Sequence, residues 1–235
     1  MEKYLRETFM LNYNSQEIVG LIRKREWNNL DEYGKIGAIY DYVQNEIALG
    51  YNKYDTLSAT QVIKDGYGQC NTKATLIMAL LRAVGVPCRL HGSKVTKAFQ
   101  RSLMTKLMAN LAPSSIVHTW AEVYYNGEWL SLEGAITDKA YIDGLRKLFP
   151  DYKGKFFDYA VAVQDFDNLQ IDWNGKPTAI QQQAVMEDLG IFDSPDDFYS
   201  EYQQEFHGIK KFLYENIGRK IMTARVAKIR RGKHK

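Results

Sequence analysis

Cysteine is scarce in this chain: 235 residues contain two, Cys70 and Cys88. Two thiols cannot build a disulfide framework, and without a Cys-x-x-Cys pair they offer no thiolate zinc site. A Cys70–Cys88 bridge is the one covalent option, and a reducing cytosol disfavours it. Long apolar runs are also missing. None reaches the roughly 18 residues of a spanning helix, and the opening Met1-Glu2-Lys3-Tyr4-Leu5-Arg6-Glu7 has no apolar signal-peptide core. The expected compartment is cytoplasmic, with no membrane span. Apart from the glutamines at 181–183 there is no low-complexity tract, and no internal repeat points to a repeat array.

What remains is a soluble globular composition, 45% hydrophobic and 25% charged. The length suits one large domain or one domain with a helical appendage. The net charge of +3 is unevenly spread. Residues 208–235 carry ten Lys/Arg against Glu215 alone, a net of +9, so the remaining chain carries −6. A basic tail on an acidic body can make a weak contact with nucleic acid or another anionic surface. It can equally dock on that body as a solvated helix end.

Apolar spacing predicts helices over 15–26 and 34–49, the second carrying Ile36, Ile39, Val43 and Ile47. A tyrosine-bearing loop (50–56) and a short helical turn near 58–63 lead into Gly66-Tyr67-Gly68-Gln69-Cys70. From Cys70 to about Val84 the residues leave almost no polar face, so this helix is expected to be central and buried; Gly85 and Pro87 end it. Further expectations are a strand at 86–95 and an amphipathic helix at 97–112, either a packing helix or a lid. Strands at 116–125 and 128–134 follow, then a helix at 138–149, a strand at 156–163, and a largely helical remainder from about 178. The expected organisation is a core over 1–165 and a helical C-terminal extension with a basic tail over 166–235.

Cys70 carries the chemistry. A glycine-rich turn delivers it to a helix N-terminus, where unpaired backbone N–H groups favour thiolate over thiol. Cys88 reads as a small core residue. A candidate base, His118, lies on a strand, and Asn126-Gly127 signals a two-residue hairpin after it. Pairing Tyr125 with Glu128 places Glu133 opposite Trp120. Glu133 is then the diagonal, same-face neighbour of His118, at roughly 7–8 Å between backbones. Glu122 shares that face but lies about 13 Å along the strand, and Asp138 has the wrong parity. Cys70, His118 and Glu133 are therefore the candidate nucleophile, base and orienting carboxylate. Gln61, Gln69 and Trp120 are the candidates for oxyanion or substrate positioning, beside the Cys70 N–H.

The run 66–70, the stretch Leu80-Leu81-Arg82-Ala83-Val84-Gly85-Val86-Pro87-Cys88-Arg89-Leu90, and the segments His118-Thr119-Trp120-Ala121-Glu122-Val123-Tyr124 and Gly127-Glu128-Trp129-Leu130-Ser131-Leu132-Glu133 together resemble the transglutaminase-like superfamily of papain-like cysteine enzymes. The resemblance covers roughly residues 35–138. It implies an α+β fold in which a central helix beginning with the nucleophilic cysteine packs against an antiparallel sheet, with extra helices at both ends. It also implies a Cys–His–Asp triad, in which Cys70 and His118 take the first two positions and Glu133 stands where aspartate is usual. Asn71 departs from the tryptophan that follows the cysteine in animal transglutaminases, which argues against protein cross-linking.

Three functions fit these residues. The first is a cysteine amide hydrolase, a peptidase or amidase, working through a thioester on a peptide, protein or small amide. The second is an acyltransferase that passes the acyl group to an amine. The third is a binding module that has lost the chemistry. None needs a metal or organic cofactor.

Overall fold

A computed structural model describes residues 1–204 and 208–233. The first third is helical: α1 (Gln16–Arg25) and α2 (Glu32–Asp41), capped by Ser15 and Asp31, then a π-helical turn at Tyr42–Glu46. Strand β1 (Ala48–Leu49) pairs in parallel with β2 (Tyr67–Gly68), across α3 (Ala59–Asp65). Next comes α4 (Cys70–Ala83), buried along almost its whole length as its residues predict. It closes on Gly85, whose φ of 81° suits glycine.

Antiparallel strands β3 (Cys88–Thr96), β4 (Ser115–Tyr125) and β5 (Glu128–Ser131) form most of the sheet against which α4 packs. The hairpin register is the expected one, Tyr125 against Glu128 through Glu122 against Ser131. Asn126 and Gly127 both have positive φ, 50° and 86°, as a two-residue turn with right-handed strand twist demands.

The chain then runs through α6 (Lys139–Leu148), since 97–112 contributes only one α-helix of its own, α5 (Lys106–Leu111). That segment is otherwise a 3-10 stretch, Lys97–Leu103, broken from α5 at Met104 and Thr105. The expected single strand at 156–163 is a small hairpin, β6 (Phe156–Asp158) with β7 (Val161–Val163). It turns at Tyr159 and Ala160, both left-handed.

The largest correction is C-terminal. Residues 185–192 do not form a helix. They are strand β8 (Val185–Phe192), antiparallel to β3, at the edge of a sheet ordered β5-β4-β3-β8. Its acidic residues Glu187 and Asp188 and its exposed Met186 hide the strand pattern, and such features suit an edge. Helices α7 (Pro195–Glu201), α8 (Gly208–Leu213) and α9 (Arg219–Arg230) complete the chain.

The basic tail docks on the body. Met222, Val226 and Ile229 of α9 are buried, and Arg230 reaches both oxygens of Asp138 at 2.8 and 2.6 Å. Asp138 also caps α6 through the Tyr141 N–H and accepts from the Leu49 N–H. Helices α6 and α9 meet at Gly144, where an added Cβ would lie 1.9 Å from the Ile229 carbonyl oxygen. Gly144→Ala is therefore expected to destabilise the fold by about 1–3 kcal/mol. Gly20→Ala, in an exposed helix interior with nothing within 4 Å of the new methyl, should stabilise it by up to about 1 kcal/mol. Urea denaturation midpoints of the two variants test both signs.

Candidate active site

Each local element around Cys70 has a visible cause. Gly66 ends α3 in the left-handed region at φ 70°. Gly68 has no room for a side chain, because a Cβ would meet Thr72 Oγ1 at 2.7 Å and Lys73 Cγ at 2.9 Å. Gln69 then caps α4: its side chain accepts from the Thr72 N–H, and Thr72 Oγ1 accepts from the Gln69 N–H at 3.1 Å. This reciprocal cap leaves Cys70 as the first residue of the helix, half-buried and opening on a cavity.

Asn71 ties that helix end to β4 on both sides of His118. Its Nδ2 donates to the Val117 carbonyl at 3.2 Å, and its Oδ1 accepts from Thr119 Oγ1 at 3.1 Å. The Cys70 thiol points toward the same Oδ1 at 3.5 Å.

His118 and Glu133 are both wholly buried. The imidazole Nε2 lies 3.0 Å from Glu133 Oε1. A carboxylate only accepts, so Nε2 carries the proton that it receives. That leaves Nδ1, which has no oxygen or nitrogen partner, as the ring atom available to the Cys70 sulfur beside it. Glu133 Oε2 accepts from the Ile180 and Gln181 N–H groups at 2.8 and 3.2 Å. Glu133 reaches His118 from a 3-10 turn, Glu133–Ile136, rather than from the expected strand, which stops at Ser131. Burial by itself would pull the His118 pKa down. The adjacent Cys70 sulfur and then Glu133 outweigh it, and His118 is raised to about 10.

The rival carboxylates are engaged elsewhere. Glu122 pairs with Arg89 and His91, each at 2.7 Å, and Asp138 with Arg230. Trp120 lies between two histidines, stacked on His91 at 4.1 Å and tilted against His118 at 5.5 Å. The Gln69 amide is spent inside the fold, accepting from the Asn52 N–H and donating to Asp55. Gln61 is exposed on α3, donates to Asp65, and does not line the cavity.

Several groups at the site carried no sequence signal. Asp55 lines the cavity with Cys70, is in no ion pair among the described residues, and has its pKa raised by burial against the opposing Gln69 and Asn71 amides. Tyr199 brings a buried hydroxyl without a well-formed hydrogen bond to the same wall. Below Cys70, buried Lys73 donates to the Gln44 and Ile136 carbonyls at 3.2 and 3.1 Å. Burial lowers its pKa to about 7, with Asp138 opposing. Among the described residues no cluster of His, Cys, Asp and Glu is arranged to hold a metal ion.

Both cysteines are free. Cys88 is fully buried, and burial raises its pKa to about 11 against the opposing Arg82. Native protein should therefore take up one iodoacetamide, at Cys70, and the second only after unfolding, as read by peptide mass spectrometry. His118 should remain an imidazolium across neutral pH and lose its proton near pH 10. Ring ¹⁵N shifts test this, and in Cys70→Ala the titration should move to lower pH because a charge that holds the proton is gone.

Residues 23–134 match the family model described as the transglutaminase-like superfamily. No curated protein sequence matches the chain. Among solved structures, a proposed cysteine protease from Cytophaga hutchinsonii is similar at 16% identity over 83% of this chain, with a TM-score of 0.47. The transglutaminase of red sea bream is similar at 16% identity over 56% of this chain, with a TM-score of 0.32. The chain spans 47% of the first of these proteins and 26% of the second.

Proposed function

We propose, from the match of residues 23–134 to the transglutaminase-like superfamily model, that this protein is a cysteine amide hydrolase using Cys70, His118 and Glu133. The observation that carries this reading is the wholly buried His118–Glu133 pair beside Cys70, with the second oxygen of Glu133 held by two backbone N–H groups.

In this mechanism Cys70 and His118 form a thiolate–imidazolium pair, and Glu133 holds the ring in the orientation that presents Nδ1 to sulfur. The thiolate attacks the amide carbonyl. Its oxygen becomes an oxyanion, for which the Cys70 N–H at the start of α4 is the first donor. The C–N bond then breaks, and the departing amine takes the proton from His118. Water, deprotonated by the now neutral imidazole, attacks the thioester, releases the acid and restores the ion pair.

Transfer to an amine is the second reading, and Asp55 favours it. A carboxylate on the cavity wall that accepts from amides and has no ion-pair partner among the described residues suits an ammonium group of an acceptor. Product partitioning between water and a fluorescent primary amine separates the two reactions.

The substrate-independent test is the pH profile of Cys70 alkylation by iodoacetamide. Wild-type protein should react at pH 6 far faster than a free cysteine peptide, and His118→Ala should remove that excess. Against a cleavable amide, His118→Ala should cost about 10²–10⁴ in kcat, while Glu133→Gln should be milder than Glu133→Ala because it keeps an acceptor for Nε2. Alkylation that is indistinguishable in wild type and His118→Ala would sink the enzyme reading and leave a binding module.

A further inference from the structure

The Cys70 sulfur opens on a cavity of about 620 Å³. An apolar cavity of about 150 Å³ already accepts benzene, so this space is several times what one ring requires. One wall is Met104, Met108 and Leu111, from the 3-10 segment's end and α5. The facing wall is Leu213, Ile217 and Ile221, from the C-terminal arm. That arm is pinned over the core: Thr223 Oγ1 accepts from the Tyr51 N–H at 2.9 Å, Arg225 donates to the Ser102 carbonyl at 3.2 Å, and Gly218 comes close to the Met108 methyl.

Two observations specify what fits. First, several amides along the walls are already engaged within the protein, although Gln181 Oε1 and the Tyr199 hydroxyl are not. Gln100 accepts from the Tyr51 hydroxyl, Gln203 donates to the Tyr199 carbonyl, and Gln204 bonds to the Val117 N–H and the Ser115 carbonyl. A buried peptide would bring its own N–H and C=O groups and find few partners there. An aliphatic chain needs none, and methionine walls adapt to its bends. Second, the rim carries exposed apolar side chains among its lysines: Leu107 and Ile217 line the cavity yet are 66% and 49% exposed, beside Lys53, Lys210 and Lys211. Isolated apolar residues on a surface need no explanation, but apolar residues at the mouth of an apolar cavity do.

We propose that this cavity holds the acyl chain of the substrate, which is an amide of a long aliphatic acid. The inference rests on Cys70 being the nucleophile and names the substrate class for that site. The Cys70 S–C bond forms as the acyl C–N bond breaks, with the chain lying between α5 and the C-terminal arm. The leaving amine takes the imidazolium proton, and water then cleaves the thioester to give the fatty acid and regenerate the thiolate–imidazolium pair.

The first measurement is calorimetric titration of the Cys70→Ala protein with dodecanamide and with acetamide. Dodecanamide should bind and acetamide should not, and Met108→Trp, which fills the cavity, should weaken dodecanamide by at least about tenfold. The second uses wild-type protein on p-nitroanilides from acetyl to dodecanoyl. kcat/KM should climb with chain length, by up to roughly fourfold per buried methylene. Met108→Trp should flatten the climb.

Reactive Cys70 with equal rates on all chain lengths, or with an apolar tripeptide anilide preferred over dodecanoyl, would overturn the inference and leave the hydrolase reading intact. Absence of dodecanamide binding would overturn it as well. Dodecanamide binding with an unreactive Cys70 would support the chain site and overturn the hydrolase.

Discussion

A carboxylate with no exposure to water survives only if its lone pairs are taken, and Glu133 sets that condition for the whole centre. Its two oxygens are met by the His118 ring and by the Ile180 and Gln181 N–H groups. Those three partners come from strand β4 and from a segment some 47 residues further along the chain. The hairpin, the 3-10 turn and the 178–184 segment must therefore converge before the pair can be buried. Most structural features near the site serve that convergence. Thr178 bonds to Ser131 and Gly134, and Gln44 donates to the Gly134 carbonyl, closing the turn from both sides.

The helix that carries Cys70 is under a related constraint. It is buried on nearly all faces, yet it contains Lys73 and Arg82. Each charge is answered by carbonyl oxygens from a different part of the chain: Gln44 and Ile136 for Lys73, and Arg6, Cys88 and Asp193 for Arg82. Removing one partner of such a group is costly because it leaves an uncompensated donor inside. The helix is thereby fixed at both ends relative to the sheet, and Asn71 sets the last detail by gripping β4 at Val117 and Thr119. A thiol mounted on so constrained an element needs little reorganisation to meet His118.

Where residues act over short chain distances, their signals were legible before any coordinates. The glycine-rich turn and the apolar run after it mark the start of α4. Asn126-Gly127 sets the β4–β5 register, because the turn admits one pairing. That register brought Glu133 to the His118 side, although the strand ends at Ser131 and the final approach is made by a turn. Strand β8 escaped notice because an edge strand with Glu187 and Asp188 facing solvent lacks the apolar alternation of an inner one. The break inside 97–112 was equally hidden: its apolar spacing is helical, but Met104 and Thr105 begin a new cap, with Thr105 accepting from the Met108 N–H.

The sequence by itself determined Cys70, His118 and Glu133 as the candidate groups, the helix start that exposes Cys70, and the hairpin that pairs His118's strand with its neighbour. These are consequences of backbone stereochemistry and local spacing, which act within a few residues. Tertiary structure alone decided the second anchor of Glu133, the strapping of α4 by Asn71, the arrival of Asp55 and Tyr199 at the same wall, and the apolar cavity roofed by the C-terminal arm. Each of these joins segments far apart in the chain, and such contacts are chosen by the burial and hydrogen-bond satisfaction of the whole molecule, which no local pattern encodes.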